Sequence, residues 1–139
     1  MIHYEIKGVP RSKKNSSKII LVKGRPMIIP SDGYRKYEAE AAQYLCNIPD
    51  KPIDYPVTVT CIYLLPLNKN GEKPKKHIDL VNLLEATCDI LVKYKILADD
   101  NSHIIKSVDG SRVYYVAEEP KTYITITEIT DESDKPEET

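Results

Sequence analysis

Residues 77–104 read HIDLVNLLEATCDILVKYKILADDNSHI. Leu80, Leu83, Leu84, Thr87, Cys88, Leu91 and Tyr94 recur at helical spacing and form one apolar side. Asp79, Asn82, Glu85, Asp89 and Lys93 form the other. The spacing predicts a helix opening at Asp79, where the helix dipole favours a negative charge and a carboxylate can cap free amides. A loop over 93–98 then leads to Asp99-Asp100. If that loop turns the chain back, the acidic pair lies beside the polar side of the helix. Several carboxylates then converge near KPKKH, residues 73–77. Carboxylates hold a hard cation and lysines hold phosphates, as a Mg²⁺-dependent phosphodiester site requires. An ordinary surface helix also carries acids on its wet side, and spacing alone does not separate the two.

The flanks add strands and basic loops. Ile2, Tyr4 and Ile6 alternate with polar residues, as in a half-buried strand. GVPRSKKNSS, residues 8–17, is a loop whose Arg11, Lys13, Lys14 and Asn15 can hold phosphates, with Ser16 and Ser17 as further donors. Two apolar strands, 18–22 and 25–29, flank a Lys23-Gly24 turn. This ribbon either lies along a nucleic acid or extends the sheet. Ser31 is the expected cap of a helix reaching about Cys46, with Tyr34 or Tyr37, Ala41, Ala42 and Leu45 buried. Its Arg35 and Lys36 fit pairs with Glu38 and Glu40. Residues 57–64, VTVTCIYL, are β-branched and apolar, as in a central strand. Lys75, Lys76 and His77 arrive beside Asp79, and His77 has the chemistry of a proton donor. After the acidic pair, a strand over 104–108, a turn at Asp109-Gly110 and a returning strand over 112–116 precede a last alternating strand, 123–129. Arg112 is a candidate DNA contact. The expected class is α+β: a mixed, mainly antiparallel sheet of four to six strands with two helices packed on it.

Composition bounds the function. With 139 residues, 29% charged and 41% hydrophobic, the chain reads as one soluble domain. It has ten Tyr and no Phe or Trp, so its aromatic core carries hydroxyls that need partners. The net charge of −1 hides an asymmetry. Residues 131–139, DESDKPEET, hold five acids and one lysine and read as a disordered acidic tail beyond a domain of residues 1–130. Residues 1–30 hold seven Lys or Arg and one acid, a distribution suited to a polyanion. Cys46, Cys61 and Cys88 lack metal-finger spacing and read as buried, reduced thiols of a cytoplasmic protein. No run of 18 apolar residues and no signal peptide is present, so membrane and secreted classes are not expected.

The helix, the acidic pair and both flanks together resemble the RusA family of Holliday-junction resolvases. The family pattern, roughly Asp-x-Asp-Asn-Leu, a helix with further Asp and Leu, then Asp-Asp, falls on Asp79, Asn82, Leu83, Asp89, Leu91, Asp99 and Asp100. IIKSVDGSRVYY and VPRSKKNS resemble a Gram-positive and phage branch, and the likeness spans about residues 2–128. It implies a homodimer that cuts four-way DNA junctions in recombination and repair, with Mg²⁺, or Mn²⁺ in its place. It implies Asp79 and Asp100 as metal ligands, with Asp99 in the catalytic group. Asp89 and Asn82 are expected to orient ligands or lysines. Arg11, Lys13, Lys14, Asn15, Lys75, Lys76 and Arg112 are expected to bind DNA.

Two positions depart from the pattern: Val81 replaces the second Asp, and Glu85 replaces a helical lysine. The two share a helix face, so Glu85 is expected to supply the missing carboxylate as third ligand. Two other readings stay open. A catalytically inactive junction-binding protein predicts binding without metal-dependent cutting. An interaction module unrelated to nucleic acids predicts no salt-dependent DNA affinity.

Overall fold

The computed structural model describes residues 1–14, 17–130 and Pro136. Asn15, Ser16 and most of the acidic tail, all named above, lie outside the described residues. The chain runs β1 (Ile2–Lys7), β2 (Ser17–Val22), β3 (Arg25–Pro30), α1 (Asp32–Ala41), a 3₁₀ turn (Ala42–Tyr44) and β4 (Val57–Pro66). Then come α2 (Leu80–Lys93), β5 (Ile105–Ser107), β6 (Arg112–Val116) and β7 (Lys121–Glu128). The α+β expectation holds: a mixed five-stranded sheet carries two helices, beside a separate two-stranded ribbon.

The sheet order is β1-β7-β4, and the far edge of β4 pairs with both β5 and β6. Alternation in three strands builds one buried layer. Tyr4 lies opposite Ile124, which lies opposite Cys61; Ile6 lies opposite Thr122, which lies opposite Tyr63. β4 buries every second residue, Val57, Val59, Cys61, Tyr63 and Leu65, and is hydrogen-bonded on both sides. Both helices meet this layer through Tyr–Thr contacts. Tyr37 Oη lies 3.3 Å from Thr122 Oγ1, and Tyr63 Oη lies 2.6 Å from Thr87 Oγ1. The hydroxyls of Tyr37 and Tyr63 are satisfied this way, which offsets the cost of burying them, whereas Tyr4 Oη is buried with no partner among the described residues.

Three expectations about elements are corrected. β6 is not a strand returning along β5: both run parallel to β4 and occupy successive stretches of its edge. The chain between them bulges outward instead of reversing. Ser111 Oγ fills the gap in the ladder by accepting from Cys61 N at 3.0 Å. The first helix ends at Ala41, and Ala42, expected inside, is exposed because the tighter 3₁₀ turn rotates it outward. Cys46, just beyond that turn, is also exposed, whereas Cys61 and Cys88 are buried.

Gly110 marks the bulge. Its φ is +83°, and a Cβ there would sit 3.3 Å from Thr60 Cγ2. Gly110→Ala therefore costs about 1–2 kcal/mol from the left-handed backbone alone. Urea denaturation checks it, and a midpoint equal to wild type would refute the strain.

The β2–β3 ribbon stands apart from the main sheet. Its turn residues Lys23 and Gly24 both have positive φ, as a two-residue hairpin turn needs. Ile19 pairs with Ile28 and Leu21 with Pro26 on one face that holds no charge. Ile19, Leu21 and Ile28 are each more than 70% exposed.

Candidate functional site

The site is assembled by the end of α2. Leu83, Ala86, Thr87, Cys88, Ile90 and Leu91 bury the inner face; Ala86 and Ile90 join the expected stripe, while Leu80 and Leu84 lie at its half-buried rim. Beyond the cap Tyr94, Lys95 adopts φ 63°, and Ile96 N donates to Leu91 O at 2.9 Å, closing the helix as a left-handed cap. The chain then reverses. Ile96 and Leu97 are buried, and Ile53 forms an isolated parallel bridge with Leu97. Ile53 N donates to Ile96 O and Ala98 N to Ile53 O, each at 2.9 Å. This turn delivers Asp99 and Asp100 to the side of the helix.

The acidic pair lies in a loop, before β5 begins at Ile105, so strand alternation does not distinguish its two members. Hydrogen bonding does. The Asp99 carboxylate accepts from Asp100 N at 2.7 Å and Asn101 Nδ2 at 3.1 Å. These bonds hold it below the usual carboxylate range, largest first the backbone bond. Asp99 thus builds the turn. The Asp100 carboxyl is pushed up, first by partial burial, then by its hydrogen bond with Asp99 and the charge of Asp89. Cys88 feels both charges: burial, then Cys61, Asp100 and Asp89 push its thiol up to about 12. Burial likewise pushes Cys61 up to about 11. Both thiols stay protonated at neutral pH, which excludes them as nucleophiles.

Two consecutive lysines of the loop after β1 reach across to α2. Lys13 Nζ lies 3.0 Å from Asp89 Oδ2, and Lys14 Nζ lies 3.0 Å from Glu85 Oε2. Glu85 and Asp89 are one helical turn apart, so the loop is fastened along the acidic face at two points. Lys13 Nζ also sits 5.7 Å from the centre of the Tyr34 ring. Partly exposed pairs of this kind contribute only about 0.2–1 kcal/mol each, so a phosphate or a divalent ion can displace either partner.

Asp79 takes the N-cap backbone conformation, but its side chain makes no capping bond. Instead Asn82 Nδ2 donates to Asp79 Oδ2 at 3.4 Å. Asp79 and Asp89 stand at opposite ends of the acidic face, about 15 Å apart along the axis at 1.5 Å per residue. Glu85 lies between them. Among the described residues, no three His, Cys, Asp or Glu side chains gather closely enough to hold one ion. The full convergence of carboxylates expected from the sequence is therefore not present; Asp89 and Asp100 are the neighbours, and Glu85 is engaged with Lys14. The donor set is nonetheless all oxygen, and Mg²⁺ ordinarily takes one or two carboxylates with the rest of its shell from water and substrate phosphate. The residues fit an ion that arrives with the substrate.

Of the other expected contacts, Lys75, Lys76 and His77 are exposed on the segment entering α2, and Arg112 stacks 4.9 Å from the centre of the Tyr114 ring. Lys36 pairs with Glu40 at 3.9 Å, as expected. Glu38 does not pair with its own helix's basic residues: it binds Lys93 of α2 and accepts from Tyr34 Oη at 3.2 Å, while Tyr94 Oη donates to its carbonyl at 2.9 Å. This clamp between the helices was not anticipated; the Tyr34–Glu38 spacing of four was its only local sign. Among the described residues no helix is long and apolar enough to cross a membrane.

A family model described as Endodeoxyribonuclease RusA matches residues 4–127. No curated protein matches the chain.

Proposed function

The chain belongs to the endodeoxyribonuclease RusA family, and from that premise we propose that it is a metal-dependent nuclease resolving four-way DNA junctions in recombination and repair. The observation that carries this reading is the double ion pair, Lys13 to Asp89 and Lys14 to Glu85. It puts phosphate-binding cations and metal-binding anions on one surface, each neutralising the other until substrate separates them. The flanking segments VPRSKKNS and IIKSVDGSRVYY favour a phage-related origin.

In this reading Asp79, Asp100 and Glu85, which do not gather in the free protein, are the carboxylates that would hold a Mg²⁺ or Mn²⁺ ion arriving with the substrate. That ion would supply Lewis-acid polarisation of the scissile phosphate and an acidified water. Asn82 orients Asp79, and Asp99 fixes the turn that aims Asp100. Asp89 holds Lys13 over the face until a DNA phosphate takes the lysine. Lys14, Asn15, Lys75, Lys76, Arg11 and Arg112 bind the backbone, and recognition rests on phosphate positions and branch geometry. A homodimer presents two identical sites to a two-fold symmetric junction. The uncharged face of the β2–β3 ribbon is apolar surface of the kind protein interfaces cover. The protein acts in the cytoplasm, where its thiols stay reduced.

The test is cleavage of a labelled four-way junction with Mg²⁺ or Mn²⁺ by wild type and by Glu85→Gln. Paired cuts that fall at least about tenfold in the variant support Glu85 as a ligand. Cuts that survive leave Asp79 and Asp100 as the working carboxylates. Binding without cutting by wild type supports the inactive junction-binding protein instead.

A further inference from the structure

The loop after β1 sends its cations to two different places. Ser12 is only 2% exposed and roots the loop in the protein. Lys13, on one side of it, turns to Asp89. Arg11, on the other, lays its guanidinium against the first turn of α1, where a Cβ on Gly33 would fall 3.2 Å from Arg11 Nη1. A concavity of about 200 Å³ opens there, walled by Lys7, Arg11, Gly33, Lys36, Tyr37 and Glu40.

Three basic residues line this hollow, and two carboxylates answer them: Glu40 faces Lys36, and Glu5 interacts with the charge of Lys7. Glu40 reaches Lys36 at 3.9 Å, the outer limit of an ion pair. Among the described residues, Arg11 and Lys7 make no ion pair. A surplus of positive charge in a concave, protein-walled site focuses potential and draws anions. A guanidinium adds a planar fork matched to two phosphate oxygens. The hollow is also continuous with the lysine pair through a single loop. Arg11 and Lys14 are three residues apart, a span of at most about 10 Å, so one nucleic-acid strand can touch both.

We propose that Lys7, Arg11 and Lys36 form a second phosphate seat, which holds a backbone phosphodiester close to the one at Lys13 and Lys14 and sets the register of the strand in the site. This rests on the nuclease reading above. Gly33 is part of the seat, because any side chain there displaces the guanidinium. The competing origin of the charge is plain surface solubility.

The measurement is the salt dependence of binding to a labelled four-way junction in EDTA, where no cutting occurs. Wild type is compared with Arg11→Ala, Lys36→Ala, the triple Lys7→Ala/Arg11→Ala/Lys36→Ala and Gly33→Ala, with Lys51→Ala as the control cation outside the seat. Each neutralised contact lowers the slope of log K against log salt by about 0.7–0.9, and the triple variant by about 2. Gly33→Ala weakens binding with a smaller change in slope. With Mg²⁺ restored, the seat variants scatter the cut positions over neighbouring phosphates, which a merely solubilising charge does not do. Slopes for Arg11→Ala and Lys36→Ala equal to that of Lys51→Ala overturn the seat while wild-type cutting keeps the nuclease reading intact. Wild type that binds the junction without salt dependence overturns both. Competition by inorganic phosphate that is lost in Arg11→Ala, with unchanged junction slopes, assigns the hollow to free phosphate and overturns the nucleic-acid seat.

Discussion

Asp100→Asn abolishes junction cutting, by more than the roughly 10–100-fold that follows loss of an outer partner of a metal ligand, yet leaves the junction bound at least as tightly. Asp100 is the member of the acidic pair whose carboxylate is not committed to the turn, and it lies beside Asp89 and Cys88. Removing its charge takes a repelling group from the neighbourhood of the phosphates, so gel-shift affinity in EDTA holds or rises. The same change stabilises the metal-free fold. An acid whose folded carboxyl is pushed above its usual range binds protons more tightly folded than unfolded. Its ionisation therefore destabilises the fold progressively as pH rises from the unfolded value through the raised folded one, and the penalty is complete above that. Solvent screening limits the effect to a few tenths of a kcal/mol, or about 1 °C in melting temperature. The variant's gain is present at neutral pH in metal-free buffer and vanishes below the ordinary carboxylate range. Wild-type cutting rates in Asp100→Asn would remove Asp100 from the chemistry altogether.

Leu91→Ala lowers stability by about 2–5 kcal/mol, which is roughly 10 °C or more in melting temperature for a domain of this size. Leu91 is completely buried on the inner face of α2, and its carbonyl accepts from both Ile96 N and Leu97 N where the chain reverses. The substitution leaves a hole under the last turn of the helix, at the element that aims Asp99 and Asp100. The neighbours of Leu91 are held by the hydrogen-bonded turn and by Ile53, so the cavity cannot collapse cheaply. Calorimetry checks the value. A loss below about 1 kcal/mol, the scale of an ordinary surface change, would show that α2 does not dock as described.

Much of this architecture was legible in the chain itself, for identifiable reasons. Alternation picked out β1 and β7, because a sheet buried on one face enforces a period of two, and β-branched apolar composition picked out β4. The helix over residues 80–93 followed from its apolar stripe, and Lys23-Gly24 named its own turn. What escaped was decided by partners distant in sequence. Asp109-Gly110 has the composition of a hairpin turn, yet β5 and β6 share an edge of β4, a choice that depends on a strand fifty residues earlier. Glu38 looked like a partner for Arg35, but a lysine on the other helix outcompetes it. The candidate site divides the same way. The acidic face of α2 and the basic loop were each readable, whereas the contact of Lys13 with Asp89 spans 76 positions and has no local signature. The preference for Asp100 over Asp99 came from the family resemblance; the hydrogen bonds of the turn give the two carboxylates different surroundings.

The order of strands has a consequence for how the protein is made. β1 leaves the ribosome before the other strands, but among the described residues the strand that hydrogen-bonds to it is β7, which begins at Lys121. At about 5–20 residues per second, that partner follows after an interval on the order of ten seconds. Among the described residues β4 pairs with β5, β6 and β7, so it too waits for strands made later. Through that interval the loop carrying Arg11, Lys13 and Lys14 hangs from an undocked strand. The acidic helix is synthesised before the basic loop has any scaffold to hold it there. The two halves of the site meet only once β7 has been made and slides between β1 and β4.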